Sequence, residues 1–477
     1  MQSNYIGHYL SILFIRILLN ANCSFFKKTN TSNLTSMLKF KFQNIFLLLF
    51  TCAFASLKGQ IIYIKPNGAG NGSSWSEAKG DLRQALATAA SGTQIWVAQG
   101  TYTPTKCTVC TVSDRNYSFE IPSGVAVFGG FNGSETALNQ RNWKNFPTVL
   151  SGNIDNDTTL NYNSFNVIYT RNVSKSTILD GFTITEGNAN DSISSGERTT
   201  SGAGWYNDAR LDGSISNPSV KNCIFVGNHA KSFGAAMLNN AIFGGHSVTT
   251  YDHCEFSKNM TEQEGGAIRN MGEFNGLCSP EFSFCSFIEN HAEAAGGAVF
   301  NDGINGVCRP SFTNCRFIRN TTSTYGGAMY NLGKHGNCSP TITGCLFWAN
   351  KAFSAAGVYC LGSENGNSSP RITNCVFYKN EASTCGAIYA NANDTTGTAS
   401  PIILNSIIWG NIATTAPYIR SIESYPKLDY SIIDAPNQEA VFQGNVNGHG
   451  LCGAHVYYNQ NPLFSNPDKG DFRIIPP

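Results

Sequence analysis

Residues 285–320 read CSFIENHAEAAGGAVFNDGINGVCRPSFTNCRFIRN, a stretch that holds one full repeat and the opening of the next. The phrase Cys-x-Phe-x-x-Asn starts at Cys223, Cys254, Cys285, Cys315, Cys345 and Cys375, at intervals of 30 or 31 residues. A seventh copy, SIIWGN, carries Ser406 in the cysteine position and Ile408 in that of phenylalanine. Self-similarity at a fixed period of roughly 20–50 residues marks a solenoid or array, in which each unit buries its inner face only by stacking on its neighbours.

Aligning the copies separates inward from outward positions, because adjacent residues of a strand point to opposite faces. Three residues before each cysteine position stand Val220, Tyr251, Phe282, Phe312, Ile342, Ile372 and Ile403. Two residues after it stand Phe225, Phe256, Phe287, Phe317, Phe347, Phe377 and Ile408. These two columns are always apolar and are predicted to face in. The position between cysteine and phenylalanine admits Glu255 and Arg316, so it faces out. Each phrase ends in asparagine, from Asn228 to Asn411. Coils stack about 4.8 Å apart, so these amides are predicted to form a hydrogen-bonded ladder in the turn.

A second strand follows, as GGAIRN, GGAVFN and GGAMYN beginning at Gly265, Gly296 and Gly326, with looser copies elsewhere. Trp205, Met237, Ile268, Val299, Met329, Val358 and Ile388 form its inward column. Their neighbours Tyr206, Leu238, Arg269, Phe300, Tyr330, Tyr359 and Tyr389 then face out. If exposed, the aromatic members Tyr206, Phe300, Tyr330, Tyr359 and Tyr389 suit glycan stacking or partner docking. If loops fold over this face, they are buried instead. With a loop leading to the next coil, each coil has three short strands, the pattern of an all-β, right-handed parallel β-helix of about 30 residues per coil.

The flanking segments fit this reading. Residues 81–90 (DLRQALATAA) place Leu82, Ala85, Leu86 and Ala89 on one helical face, a short N-terminal capping helix for the open end of the solenoid. Residues 37–59 have a lysine-bearing start, the apolar run from Ile45 to Phe50 and the small-residue stretch Ala53-Phe54-Ala55, the layout of a secretory signal peptide. Residues 1–36 are then an upstream extension, with translation expected to start at Met37. The division that follows is 60–175 for the cap and first coils, 176–435 for the regular repeats and 436–477 for a terminal coil. No transmembrane span is expected in the mature chain. Formal net charge is +1 and charged residues are 13% of the chain, which leaves no basic field for nucleic acid.

The pairing of GGA[ILMV] with FxxN resembles the polymorphic outer membrane protein repeat of right-handed β-helix surface proteins. Residues 118–155, LDGFTITEGN (179–188) and NPLFSNPDKGDFRI (461–474) resemble secreted, pectin-lyase-like β-helix proteins of the Bacteroidetes type. The resemblance implies a secreted protein displayed at the cell surface or outer membrane, with glycans or molecules of host or neighbouring cells as partners. In such proteins the last phrase is normally followed by more chain, so an end at Pro477 implies a truncated reading frame.

Candidate chemistry is sparse. Cys107 and Cys110 form the one CxxC, a local loop staple; Cys278, Cys308 and Cys338 recur in a loop and are candidates for disulfide formation. The six phrase cysteines read as a reduced, inward-facing ladder, with vertical disulfides as the alternative. Asp155, Asp157 and Asp180 are the best acidic group, but two belong to a turn and one to a strand entry. No catalytic residue, metal ligand or cofactor is assigned. The expected role is a non-enzymatic adhesion or binding scaffold; the alternative is a polysaccharide lyase or glycoside hydrolase on the same fold.

Overall fold

The computed structural model describes residues 59–192, 197–392, 394, 396–442 and 450–475. The upstream extension and all but the last residue of the expected signal peptide lie outside the described residues.

The chain winds as a right-handed parallel β-helix of about 11 turns, with about 31 residues per coil. Three long sheets run its length. Sheet one has 13 strands, from Ile61–Ile64 to Leu451–Cys452; sheet two has 12, from Gly100–Tyr102 to Val456–Tyr458; sheet three has 10, from Phe119–Glu120 to Ile419–Ile422. Coil-to-coil registers are parallel and place like residues opposite each other, as in Phe287↔Phe317↔Phe347 of sheet two and Phe282↔Phe312↔Ile342 of sheet one.

Register converts the sequence columns into continuous core stacks. Phe225, Phe256, Phe287, Phe317, Phe347 and Phe377 are fully buried, and successive rings from Phe287 to Phe377 are 4.5–4.8 Å apart and within 2° of parallel. The strand spacing sets that distance. Tyr251, Phe282 and Phe312 form a second stack at 4.5 and 4.7 Å, which meets the first edge-on. Burying each ring contributes roughly 1.5–3 kcal/mol. The inward residues of sheet three, Trp205 to Ile419, close the same core.

Turn asparagines form the expected ladder. Asn228, Asn259, Asn290, Asn320, Asn350 and Asn380 each donate from Nδ2 to Oδ1 of the next asparagine at 2.8–3.0 Å, ending on Asn411. Each also donates to a main-chain carbonyl, such as Asn320 to Phe287 at 2.9 Å; from Asn259 onward each receives at Oδ1 the preceding asparagine's backbone N–H, and Asn228 receives that of Gly187. A second ladder runs inside sheet three, where Asn207, Asn239, Asn270, Asn301 and Asn331 are bonded in series at 2.8–3.2 Å. Gly296 and Gly326 enter the strand at φ +65° and +71°, and a Cβ on Gly297 would collide with the carbonyl oxygens of Gly327 and Thr321.

The helix Leu82–Thr88 starts at Asp81, whose carboxylate accepts from the Gln84 N–H at 2.9 Å, and it buries Leu82, Ala85 and Leu86 against the first coils. At the far end, the short helix Gln438–Val441 buries Ala440 and Val441 in the same core. The terminal segment is more than another coil. Leu451–Cys452 and Val456–Tyr458 extend sheets one and two, but Phe464–Asn466 and Asp471–Ile474 form an antiparallel hairpin. It folds back over the outer face of sheet two, where Phe472 meets Trp348 and Tyr378 edge-on at 5.8 and 5.3 Å.

Coil length is not uniform. Val127, Leu179 and Val220, equivalent inward residues of sheet one, are 52 and 41 residues apart, against 30 or 31 per coil from Val220 to Ile403 and 25 and 24 in the last two coils.

Candidate functional site

Of the two alternatives for the outward face of sheet three, the structure has the buried column and not the exposed aromatic stripe. Tyr206 is fully buried, and Phe300, Tyr330, Tyr359 and Tyr389 are only 2–8% exposed. Alternation placed these rings on the outer side of the strand, but it could not foresee how they pack there. Phe300, Tyr330 and Tyr359 stack at 4.6 and 4.8 Å, and Tyr389 meets Tyr359 edge-on at 5.0 Å. Tyr325, Ala295, Ala355 and Cys385, from the turn that enters the strand, pack against the column. Burial pushes the Tyr330 phenol well above its ordinary range, so it stays protonated. The column is therefore a second core outside the coil.

Arg269 occupies the same outer column and is also buried, 5% exposed. Its guanidinium pairs with Glu264, with Glu273 at 3.2 Å and with Asp302 at 2.6 Å. It also lies over the Phe233 ring at 3.8 Å. A buried charge needs such partners, since an uncompensated ion in the interior is costly. Burial, with Glu273 nearby, raises the Asp302 carboxyl to about 7 in spite of the arginine.

Beside this cluster the outer face opens into a cleft of about 450 Å³, lined by Arg171, Glu197, Arg210, Phe233, Asn240, Phe243, Arg269 and Glu273 among others. The 41-residue coil between Leu179 and Val220 supplies one wall. Arg210 grips the buried Asp208 with Nε at 3.1 Å and lies 3.7 Å from Glu197, while Arg171 reaches Asp208 at 3.9 Å. Phe243 and Phe274 stack at 5.4 Å and are 52% and 42% exposed. Through Arg171 the cleft meets a second one of about 670 Å³ that also contains Arg83, Tyr117, Glu120 and Tyr169. There Arg83 covers the Tyr117 ring at 4.5 Å, and Arg198 covers Tyr169 at 4.1 Å while pairing with Glu120 at 3.7 Å.

The other sequence candidates have structural surroundings. Cys107 and Cys110 are joined by a disulfide. Cys278, Cys308 and Cys338, offered as disulfide candidates, are instead free and fully buried. They stack in register above Ala209 and Ala241, and each thiol donates to a carbonyl of sheet three: Asn239, Asn270 and Asn301, at 3.3–3.7 Å. Parallel side chains on adjacent coils have their hydrogen-bonding needs met without a bridge. The phrase cysteines are likewise free and buried. Asp180 is held by Arg141 at 2.6 Å and by Asn222 at 2.8 Å, whereas Asp155 lines a loop cleft with Cys107. Among the described residues no group of three or more His, Cys, Asp or Glu side chains is placed to hold a metal ion. No helix among them is long and apolar enough to cross a membrane.

Sequence reading missed Arg171, Arg210, Asn240 and the carboxylates around Arg269. One signal was available: Arg269 is the only charged residue in its column from Tyr206 to Tyr389, and Asp302 replaces Met271 at the neighbouring outward position one coil later.

No protein-family model matches the chain, and no curated protein matches it. Among solved structures, pectate lyase Pel9A is similar at a TM-score of 0.40 and 13% identity, over 86% of this chain and 83% of that one. Tailspike protein 3 of bacteriophage CBA120 is similar at a TM-score of 0.26 and 10% identity, over 83% of this chain. The chain spans 61% of that tailspike's length. The strands and registers themselves define the class: a parallel β-helix protein with a polar cleft on the outside of its third sheet.

Proposed function

We propose that the protein is a secreted or surface-displayed β-helix acting as a non-enzymatic binding scaffold, with glycans as its partner class and the cleft around Arg171 and Arg210 as its contact surface. One observation carries this reading. The cleft's guanidiniums are already fixed by carboxylates, Arg210 by Asp208 and Arg269 by Glu264, Glu273 and Asp302, on a rigid sheet beside the exposed Phe243 and Phe274 rings. Prefixed hydrogen-bonding groups and an aromatic platform bind with little ordering cost. Secretion rests on the leader-like segment 37–59, and outer-membrane display rests on the resemblance to polymorphic outer membrane protein repeats of the Bacteroidetes type.

The test is electrophoresis of the purified protein through gels containing polysaccharides, alongside assays for new reducing ends and unsaturated uronates. Retardation without turnover is expected. Turnover would overturn the non-enzymatic reading in favour of the second one, a polysaccharide-degrading enzyme.

A further inference from the structure

We infer that the cleft between Arg210 and Arg269 takes an uncharged, hydroxyl-rich sugar and not a uronate. This rests on the glycan-binding reading above and assigns its ligand class.

Charge is the first argument. The three guanidiniums that line the cleft, Arg171, Arg210 and Arg269, face five carboxylates: Asp208, Glu197, Glu264, Glu273 and Asp302. Asp208 and Asp302 are buried, and Asp208 serves both Arg171 and Arg210. With Asp302 protonated the carboxylates still outnumber the guanidiniums. No guanidinium is left uncompensated for a sugar carboxylate, and another anion would meet net repulsion in a partly desolvated site.

Unsatisfied hydrogen-bonding groups give the second, independent argument. Asn240 is 1% exposed; its Nδ2 donates to the Tyr206 hydroxyl at 2.8 Å, while its Oδ1 has no partner. Arg269 Nε is also buried without an acceptor. Both residues line the cleft, so it holds one orphan acceptor and one orphan donor, each of which costs stability while unmade. Adjacent sugar hydroxyls supply an O–H donor for the first and an oxygen acceptor for the second. A uronate keeps ring hydroxyls that can pair the same two atoms, so this pairing selects a hydroxyl-rich ligand and the charge balance is what excludes the carboxylate. The exposed Phe243–Phe274 stack at the rim presents a ring face to the C–H face of a pyranose, which carries no charge either.

Electrophoresis of the full chain through gels containing a neutral β-glucan, a neutral mannan or polygalacturonate tests this, with Phe243→Ala and Asn240→Ala run beside the parent. Phe243 is exposed, so its variant keeps the fold, and a circular dichroism melt checks both. The expected result is retardation by a neutral polymer at least about tenfold stronger than by polygalacturonate, unaffected by 0.5 M salt (order-of-magnitude choice, several times the screening concentration), and weakened about tenfold in Phe243→Ala. Stronger, salt-sensitive retardation by polygalacturonate overturns the ligand class and leaves the glycan reading standing. Neutral retardation that folded Phe243→Ala and Asn240→Ala both retain overturns the cleft assignment. No retardation by any polymer overturns both readings.

Discussion

Asn320 sits at the middle of the turn ladder, and its truncation to alanine removes four hydrogen bonds at once. Two arrive at its Oδ1, from the Asn290 N–H at 3.1 Å and Asn290 Nδ2 at 2.9 Å. Two leave its Nδ2, for the Phe287 carbonyl at 2.9 Å and Asn350 Oδ1 at 3.0 Å. Asn290 Nδ2 retains Phe256 O, and Asn350 Oδ1 retains the Asn320 N–H. The Asn290 N–H loses its bond to the ladder in a fully buried turn, and the Phe287 carbonyl loses a donor. Each buried group left short of a partner costs about 1–3 kcal/mol, so Asn320→Ala is expected to destabilise the rod by about 3–5 kcal/mol. Asn320→Asp is the sharper variant. It keeps the acceptor but turns the donor into a second oxygen aimed at Asn350 Oδ1 and Phe287 O, so the buried carboxyl must stay protonated. Its folded pKa then lies above the unfolded value of about 3.9, and its stability falls as pH rises from about 4 until the folded form ionises. Urea unfolding followed by circular dichroism at pH 4 and pH 8 reads both. A loss below about 1 kcal/mol for Asn320→Ala, or no pH dependence for Asn320→Asp beyond that of the parent, would refute the ladder as a source of stability.

Three further outcomes follow from the packing. Phe317→Ala removes a fully buried ring stacked at 4.7 and 4.8 Å between Phe287 and Phe347 and is expected to cost about 3–5 kcal/mol, whereas Phe284→Ala, at a residue 52% exposed, should change the melt little. Equal melts for the two would refute the inward assignment. Asp302, raised to about 7 by burial, ionises in the unfolded chain first, so it contributes stability below pH about 4 that is lost as pH rises through 7; Asp302→Asn should flatten that part of the pH–melting curve, and an unchanged slope would contradict it. Among the described residues, Cys360 and Cys385 are free thiols that burial pushes up to about 12, so maleimide labelling of the native protein should miss both until denaturant is added.

What was legible depended on whether a property repeats at the coil period. The phenylalanine and asparagine columns recur in almost every coil, and strand alternation alone sends Phe317 inward. The helix at Leu82 was legible from its apolar face. The outer column was harder: alternation correctly placed Tyr330 on the far side of the strand, but its exposure depends on Tyr325 and Ala295, which belong to a different column. The sheet-three ladder was visible in GGAIRN and its relatives, yet nothing in the phrase distinguishes a bonded Asn270 from a solvated one. The cleft was least legible because Arg171, Arg210 and Asn240 come from successive coils and repeat nowhere. Its charges find each other only when three-dimensional register brings Asp302 beside Met271.

The 41-residue coil between Leu179 and Val220 has a consequence for how such a rod diversifies. Its extra length is spent outside the ladders: Leu179 still aligns with Val220, and Ile184 with Phe225, so the stack above it is undisturbed. Tightly periodic coils tolerate few changes, because each side chain is constrained by a copy above and a copy below. An oversized coil is released from that constraint, and here it contributes Glu197 and Arg210. The regular coils act as a ruler, and an oversized coil is free to acquire new chemistry without cost to the ruler.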